Sequence, residues 1–432
     1  MTGFLVSAAN SGAGKTVITL ALMRALKDMG VAVVPRKAGP DFIDPAYHKA
    51  ATGVDSYNLD CWAMREKLIK NLAFGKKNDK DFLVVEGMMG LFDGAANGSG
   101  SSAELAKLLD LPVLFVVDVT SQSHSVAALV QGFMNFMPGL RFVGVILNKV
   151  GSPRHELMLR QALEPLGVSI IGVVYRNADL TLPSRHLGLV QASERADLGS
   201  FIGKAATIIK ESVDIPKILE FSKTCEVPSY CETIAQIQPL GQRIAVTRDD
   251  AFRFAYPHIL DGWRKAGAEI SFFSPLANEM PDKDADSVYL CGGYPELYAK
   301  QLATADQFKL GLKDKAREGA RIYGECGGYM TLGETIEDQS GNKCPMLGLL
   351  PLKTSFKQKK LHLGYRRLMP LSDFFDNKIM RGHEFHYASI IEEKDAAPLF
   401  KAYDATGTEL KNMGLRINNI AGSFVHLVDL ES

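Results

Sequence analysis

Residues 3–16 read Gly3-Phe-Leu-Val-Ser-Ala-Ala-Asn-Ser-Gly-Ala-Gly-Lys-Thr16 and run directly into the amphipathic stretch KTVITLALMRALKDMG at 15–30. An apolar β-rich run, a glycine-bearing loop and a helix start, in that order, make a phosphate-binding turn. The Walker pattern asks for glycine, four residues, then Gly-Lys-Ser/Thr. Ala9 stands at the first glycine position, and Gly14, Lys15 and Thr16 supply the rest. Across Gly12, Ala13 and Gly14 the backbone N–H groups can approach phosphate oxygens, and the helix start adds its positive dipole end. Lys15 can reach the outer phosphates, and the Thr16 hydroxyl can ligate Mg²⁺. The plain alternative is a solvated lysine on a glycine-rich turn, and the strand–loop–helix setting argues against it.

Outward from that loop, VAVVPRK (31–37), DFLVVEG (81–87), LPVLFVVDV (111–119), RFVGVILNKV (141–150) and SIIGVVY (169–175) are continuous β-rich runs separated by helical patterns. That alternation predicts an α/β fold with a doubly wound, mostly parallel sheet. The pattern loosens from about Gly188 to Leu240, and a second α/β series follows in RIAVTR (243–248), AEISFFS (268–274), DSVYLCGG (286–293) and ARIYGE (320–325). We therefore expect domains at 1–190 and 241–432 with a linker at 191–240. The chain's 432 residues, 46% hydrophobic and 23% charged, provide apolar side chain for two cores. Zero formal net charge argues against a protein held by nucleic acid or an anionic membrane. Six scattered cysteines without Cys-x-x-Cys spacing, no export signal and no run of about 18 apolar residues point to a soluble cytoplasmic protein.

A hard cation needs carboxylates. GPDFIDP offers Asp41 and Asp44, and VVEGMMGLFDG offers Glu86 and Asp93, all where parallel strands end beside the phosphate loop. Singly each is as easily a cap or turn acid; together, with Lys37 beside them, they read as a Mg-nucleotide site. LNKV resembles a base-reading turn with Asn148, and it lacks the aspartate that favours guanine, so adenine is expected.

Gly324-Glu325-Cys326-Gly327-Gly328 has the Gly-x-nucleophile-x-Gly form of a strand–turn–helix elbow. The following helix start is expected to favour thiolate. His426, in GSFVHLVDL, is the candidate base, against the commoner fate of a core histidine. Gly292 and Gly293, after a strand, and the Gly327 N–H are candidates for an oxyanion hole. Cys291 reads as structural. RGHEFHY tempts a zinc reading through His383, Glu384 and His386, but it is not His-Glu-x-x-His and its surroundings are β-rich, so a structural or substrate-side role is expected.

In order, SGAGKT, KAGPDFIDPAYH, NLDCWAM, VEGMMGLFDG, CGGYPE, GECGGYM, GYR, GHEFHY and FVHL resemble the cobyrinic/hydrogenobyrinic acid a,c-diamide synthases over nearly the whole chain. The resemblance implies an N-terminal P-loop domain similar to dethiobiotin synthetase and a C-terminal class I glutamine amidotransferase domain. It implies amidation of the a and c acetate side chains of a corrin carboxylic acid with ATP and glutamine, through an acyl phosphate, in cobalamin biosynthesis. Cys326 is then the glutaminase nucleophile and His426 its activator. Gly12 to Thr16, Lys37 and Asn148 serve ATP, Thr16, Asp41, Asp44 and Glu86 serve Mg²⁺, and Asp93 lies near the reacting carboxylate. NLDCWAM and LHLGYR lean toward the cobalt-free hydrogenobyrinic acid enzymes, with cobyrinic acid and nickel-sirohydrochlorin as rival substrates. Many class I amidotransferases carry a glutamate two residues beyond the histidine; Val428 stands there, so a Cys–His dyad with slower or substrate-gated glutaminase activity is expected. Arg36, Lys37, Arg154 and Arg185 are the basic candidates for corrin carboxylates, and the reading leaves room for a homodimer. A P-loop switch ATPase is the rival from another class, but those proteins carry a lysine early in the loop, where this chain has Asn10 and Ser11.

Overall fold

The run that opens the chain sits at the middle of a parallel sheet. In the computed structural model, which describes residues 2–75, 81–182, 184–185, 188–189, 191–222, 234–394 and 396–431, the first sheet has seven strands. They are β1 (Thr2–Ala8), β2 (Ala32–Ala38), β3 (Tyr57–Leu59), β4 (Asp81–Glu86), β5 (Val113–Asp118), β6 (Phe142–Val150) and β7 (Ile170–Tyr175), in the order β3-β2-β4-β1-β5-β6-β7. All pairings are parallel. Six of these strands are the apolar runs of the sequence. The seventh, β3, is three residues at the sheet edge with no apolar run to announce it. Helix α1 (Lys15–Asp28) follows the loop after β1 and buries Ile18, Leu22 and Leu26 against the sheet, a helical spacing. Register brings Val6, Lys37 and Glu86 level on three adjacent strands, so their ends meet beside the loop.

The chain divides into two compact units, Met1–Trp62 with Glu66–Thr233, and Ala63–Arg65 with Ile234–Ser432. The stretch 191–240, read from sequence as a linker, is only partly one. Helix Leu198–Ser212 and helix Ile215–Phe221 belong to the first unit. Leu198, Phe201, Ile202, Ala205 and Ile209 form a buried stripe in the same core as α1. Burying each of the larger ones contributes about 1.5–3 kcal/mol, enough to dock an amphipathic helix that irregular flanking sequence disguises.

In the second unit, Glu269–Phe273, Arg243–Thr247, Ser287–Leu290, Arg321–Glu325 and Ile420–Ser423 pair in parallel in that order. The sheet continues antiparallel through Met413–Ile417, Ala397–Tyr403, His362–Pro370, Met380–His386 and His426–Leu430. The run GSFVHLVDL therefore splits between two strands, with the break at Phe424 and Val425. Leu427 N–H donates to Glu325 Oε1 at 3.2 Å, so the last strand curls back over the one that leads to Cys326. Among the described residues, no helix is long and apolar enough to cross a membrane.

Candidate functional site

In the first unit, the phosphate loop has the backbone its sequence requires. Gly12 (φ 80°) and Gly14 (φ 95°) lie in the left-handed region that glycine occupies freely. The loop is braced from β6. Asn148 Nδ2 donates to Ala13 O at 2.8 Å, and Lys149 Nζ donates to Gly12 O at 3.1 Å and to Asp118 at 2.6 Å. Asn148, expected to read a base, thus has its amide against the loop itself. Lys15 Nζ donates to Asn10 O at 3.0 Å. Burial, and then the charge of Lys37, lower its pKa to about 8.

Behind the loop lies a buried charge network. Thr16 Oγ1 donates to Glu86 Oε1 at 2.5 Å, and His48 Nε2 lies 2.7 Å from Glu86 Oε2. Lys37 Nζ stands 2.6 Å from Asp44, 3.4 Å from Glu86 and 3.9 Å from Asp41. Burial opposes the Glu86 charge, but Lys37, His48 and Thr16 outweigh it and hold the carboxyl well below the ordinary carboxylate range. Burial likewise opposes the Lys37 charge, and Asp44, Glu86 and Asp41 overcome it, so the ammonium persists. The four expected cation ligands are therefore unequal. Asp41 Oδ1 accepts from Ile43 N and Asp44 N, the cap-type role that was its alternative, and Asp44 is paired with Lys37. Thr16 and Glu86 remain as the pair at the head of α1. Among the described residues, no group of three or more His, Cys, Asp or Glu side chains is arranged to hold a metal ion. Asp93, exposed, accepts from Gly90 N at 2.8 Å, in a turn tied to β1 by Leu91 N–H on Ala8 O.

Sequence reasoning missed His48, whose Nδ1 lies 3.0 Å from Ser56 Oγ and which fixes the far oxygen of Glu86. A lone histidine one helical turn after Asp44-Pro45 carries no spacing signal. Arg36 is corrected in the other direction. It is buried, donates to Leu72 O and Pro35 O, and stacks on Tyr57, so it has no fork to offer a corrin carboxylate. Arg154 is exposed on a helix, and the side chain of Arg185 lies outside the described residues.

In the second unit, Cys326 sits at φ 47° and ψ −103°, a conformation rare outside glycine, at the junction of strand Arg321–Glu325 and helix Gly327–Leu332. Such strain at a side chain that the turn holds up is what an elbow requires. The turn is closed on every side. A Cβ on Gly328 would lie 2.0 Å from Leu290 O, and one on Gly327 would lie 2.8 Å from Pro295 Cδ and 3.0 Å from Gly293 N. A Cβ on Gly292 would lie 2.3 Å from the His426 ring. The structure thus brings Gly292, Gly293, Gly327, Cys326 and His426 to one place. It does not bring a ready thiolate. Burial first, then the charge of Glu296, push the Cys326 thiol far up, against the expectation from the helix start. That helix has six residues, too short for its dipole to prevail. A base must take the proton.

His426 is the candidate, and its ring is held in place. Its ring stacks on His383 at 5.1 Å, and His383 Nε2 lies 2.7 Å from Tyr256 OH. Burial, and then the nearby His426, hold His383 well below its ordinary pKa, so it stays neutral beside the imidazole. An acid also stands near the imidazole. Glu325 Oε2 stands 3.5 Å from His426 Nδ1 and accepts from Tyr289 OH at 2.8 Å, while its Oε1 takes the Leu427 N–H. Val428 occupies the place two beyond the histidine, but the carboxylate arrives from the residue before the nucleophile. A buried acid within the apolar run ARIYGE was the signal. The zinc triplet does not converge: His383 and Glu384, adjacent in a strand, face opposite ways, while Glu384 is paired with Arg366 at 2.6 Å and has His386 Nε2 3.4 Å from its Oε1.

Residues 4–190 match the CobQ/CobB/MinD/ParA nucleotide binding domain, and residues 243–432 match the CobB/CobQ-like glutamine amidotransferase domain. A hydrogenobyrinate a,c-diamide synthase of Brucella abortus is 55% identical over 430 residues, covering 99% of this chain and 99% of that protein. Proteins of the same description from Sinorhizobium and Rhizobium meliloti are 52% and 51% identical, over 100% and 99% of this chain and 99% of each of theirs.

Proposed function

Because the chain belongs to the hydrogenobyrinate a,c-diamide synthase family, we propose that it amidates the a and c acetate carboxylates of hydrogenobyrinic acid. It is a glutamine-dependent amidating ligase of cobalamin biosynthesis, with ATP and glutamine as substrates. In this reading the first unit transfers the γ-phosphoryl group of ATP to a side-chain carboxylate, forming an acyl phosphate and ADP. In the second, Cys326 attacks the glutamine amide, releasing ammonia and leaving a γ-glutamyl thioester that water hydrolyses to glutamate. Ammonia then displaces phosphate from the acyl phosphate.

Gly12 to Thr16 cradle the triphosphate, with Lys15 neutralising its outer charge. Mg²⁺ is expected with the nucleotide, and the residues fit it. An ion that keeps phosphate and water ligands needs only one or two hard oxygens from the protein, and Thr16 with Glu86 supplies them. Lys37 and His48 keep Glu86 ionised, Asp44 and Asp41 hold Lys37 in place, Asn148 braces the loop, and Asp93 stands on the turn beside it. His426 takes the Cys326 proton and later returns one to the leaving ammonia. Gly293 and Gly327 offer N–H groups to the developing oxyanion, and Gly292 leaves room for the imidazole.

The observation that carries the reading is the strained Cys326 beside His426 in a chain that also holds a braced phosphate loop. Mass spectrometry of products from metal-free and cobalt-containing corrin acids, offered in competition with ATP and glutamine, tests it. The expected product is hydrogenobyrinic acid with two carboxyls converted to carboxamides. Preferential amidation of the cobalt form would move the substrate to cobyrinic acid, and no amide on either would overturn the reading.

Glu325 enters as the residue that orients His426. Glu325→Gln keeps the acceptor for Leu427 N–H but removes the charge. Glutamine-dependent kcat should fall about tenfold or more with KM little changed, and ammonia-dependent synthesis should be unaffected. An unchanged kcat would return His426 to a dyad.

A further inference from the structure

We propose that Glu296 is the anionic subsite that receives the α-ammonium group of glutamine while its amide reacts at Cys326, an inference that rests on the glutaminase reading above. Glu296 lies in the short turn Pro295–Leu297, directly after the glycine pair of the oxyanion site. Pro295 packs against Gly327, the residue after the nucleophile, so the turn is part of the wall around the thiol. Among the described residues, Glu296 Oε2 is sealed from solvent and has no hydrogen-bond partner. A buried carboxylate oxygen without a donor is costly and rare, and a ligand that brings the donor accounts for its retention.

The surroundings say what kind of ligand. The groups that act on the Glu296 carboxyl are its own backbone N–H and the charge of Lys359, and neither neutralises it; burial lifts its pKa to about 7. Its negative charge is the strongest electrostatic influence on Cys326, and it holds the proton on sulfur. In the free enzyme that is adverse for a nucleophile. Free glutamine carries one cation, the α-ammonium, at the end of the molecule opposite the amide. Seated on Glu296, it cancels the charge that opposes the thiolate. Binding the correct substrate therefore relieves the acid that restrains Cys326 most, ahead of Glu325 and Glu384, which gives the substrate-gated glutaminase expected from sequence a physical cause.

The test compares glutamine with glutaramate, the same chain without the α-amino group, as amide donors for the wild-type enzyme, Glu296→Gln and Glu296→Asp. The wild type should prefer glutamine by about ten- to a hundredfold in kcat/KM. In Glu296→Gln that preference should shrink to about threefold or less, and Glu296→Asp should restore part of it. The wild type alone gives a second readout. Its preference should rise as Glu296 ionises between about pH 6 and pH 8, while groups that act on the amide of both donors alike cancel in the ratio. A preference that persists in Glu296→Gln, or a ratio flat with pH, overturns the assignment and leaves the glutaminase reading intact. A wild-type enzyme that consumes neither amide overturns both.

Discussion

Cys326→Ala abolishes glutamine-dependent amidation, by at least about a thousandfold, and leaves synthesis from ammonium salts near the wild-type rate. Cys291, the cysteine beside the glycine pair, does not stand in for Cys326: it is buried, its sulfur is within 3.4–3.5 Å of Thr247, and burial raises its pKa to about 12. Acyl phosphate formation, by contrast, needs the phosphate loop and its acids, none of which lies in the unit that holds Cys326. Alanine also relieves nothing of the φ 47° strain, since its Cβ is kept, so the elbow should survive and the fold with it. Initial rates with glutamine and with ammonium at saturating ATP, beside a melting curve, check the division of labour. Loss of both activities in a folded variant would end it.

What could be read in advance was what local rules govern. The phosphate loop and the elbow are each a strand, a turn forced by glycines and a helix start, contiguous in sequence, and both lie where the sequence puts them. What could not be read was set by partners remote in the chain. Arg36 looked available because a strand-end arginine usually is; only the fold shows Leu72 O taking its guanidinium. Glu325 was passed over because the acid of such sites was sought after His426, whereas the curled sheet brings it from 101 residues earlier, as the 102-residue separation from Leu427 shows. His48 and Glu296 have the same character. Each is a single polar residue without spacing: His48 takes its meaning from burial against the Glu86 charge, and Glu296 from a sealed oxygen without a donor. Helix Leu198–Ser212 differs. Its apolar stripe was present, and the loose sequence on either side of it hid the pattern.

The phosphate-loop lysine and the buried glutamate behind it lead to the broadest loss. Lys15→Ala and Glu86→Gln should each lower amidation about a hundredfold or more whether glutamine or ammonia supplies nitrogen, because both act on the phosphoryl group that every turnover requires. For Lys15 the argument is charge. Burial and Lys37 lower its pKa to about 8, so the free loop holds its cation weakly, and bound phosphates, being anionic, draw the proton back. Alanine removes that response and leaves the triphosphate to backbone N–H groups alone. For Glu86 the argument is position. Its Oε1 meets Thr16 at 2.5 Å and its Oε2 meets His48 at 2.7 Å, so glutamine, equal in shape, keeps contacts to both while losing the charge. Lys37 retains Asp44 at 2.6 Å, which spares the fold an unpaired buried ammonium. The measurement is ammonia-dependent ADP release and corrin amide formation in the two variants, with glutamine hydrolysis followed separately. Near-normal ammonia-dependent rates in Glu86→Gln would remove Glu86 from phosphoryl transfer and leave Thr16 as the only cation ligand at the loop.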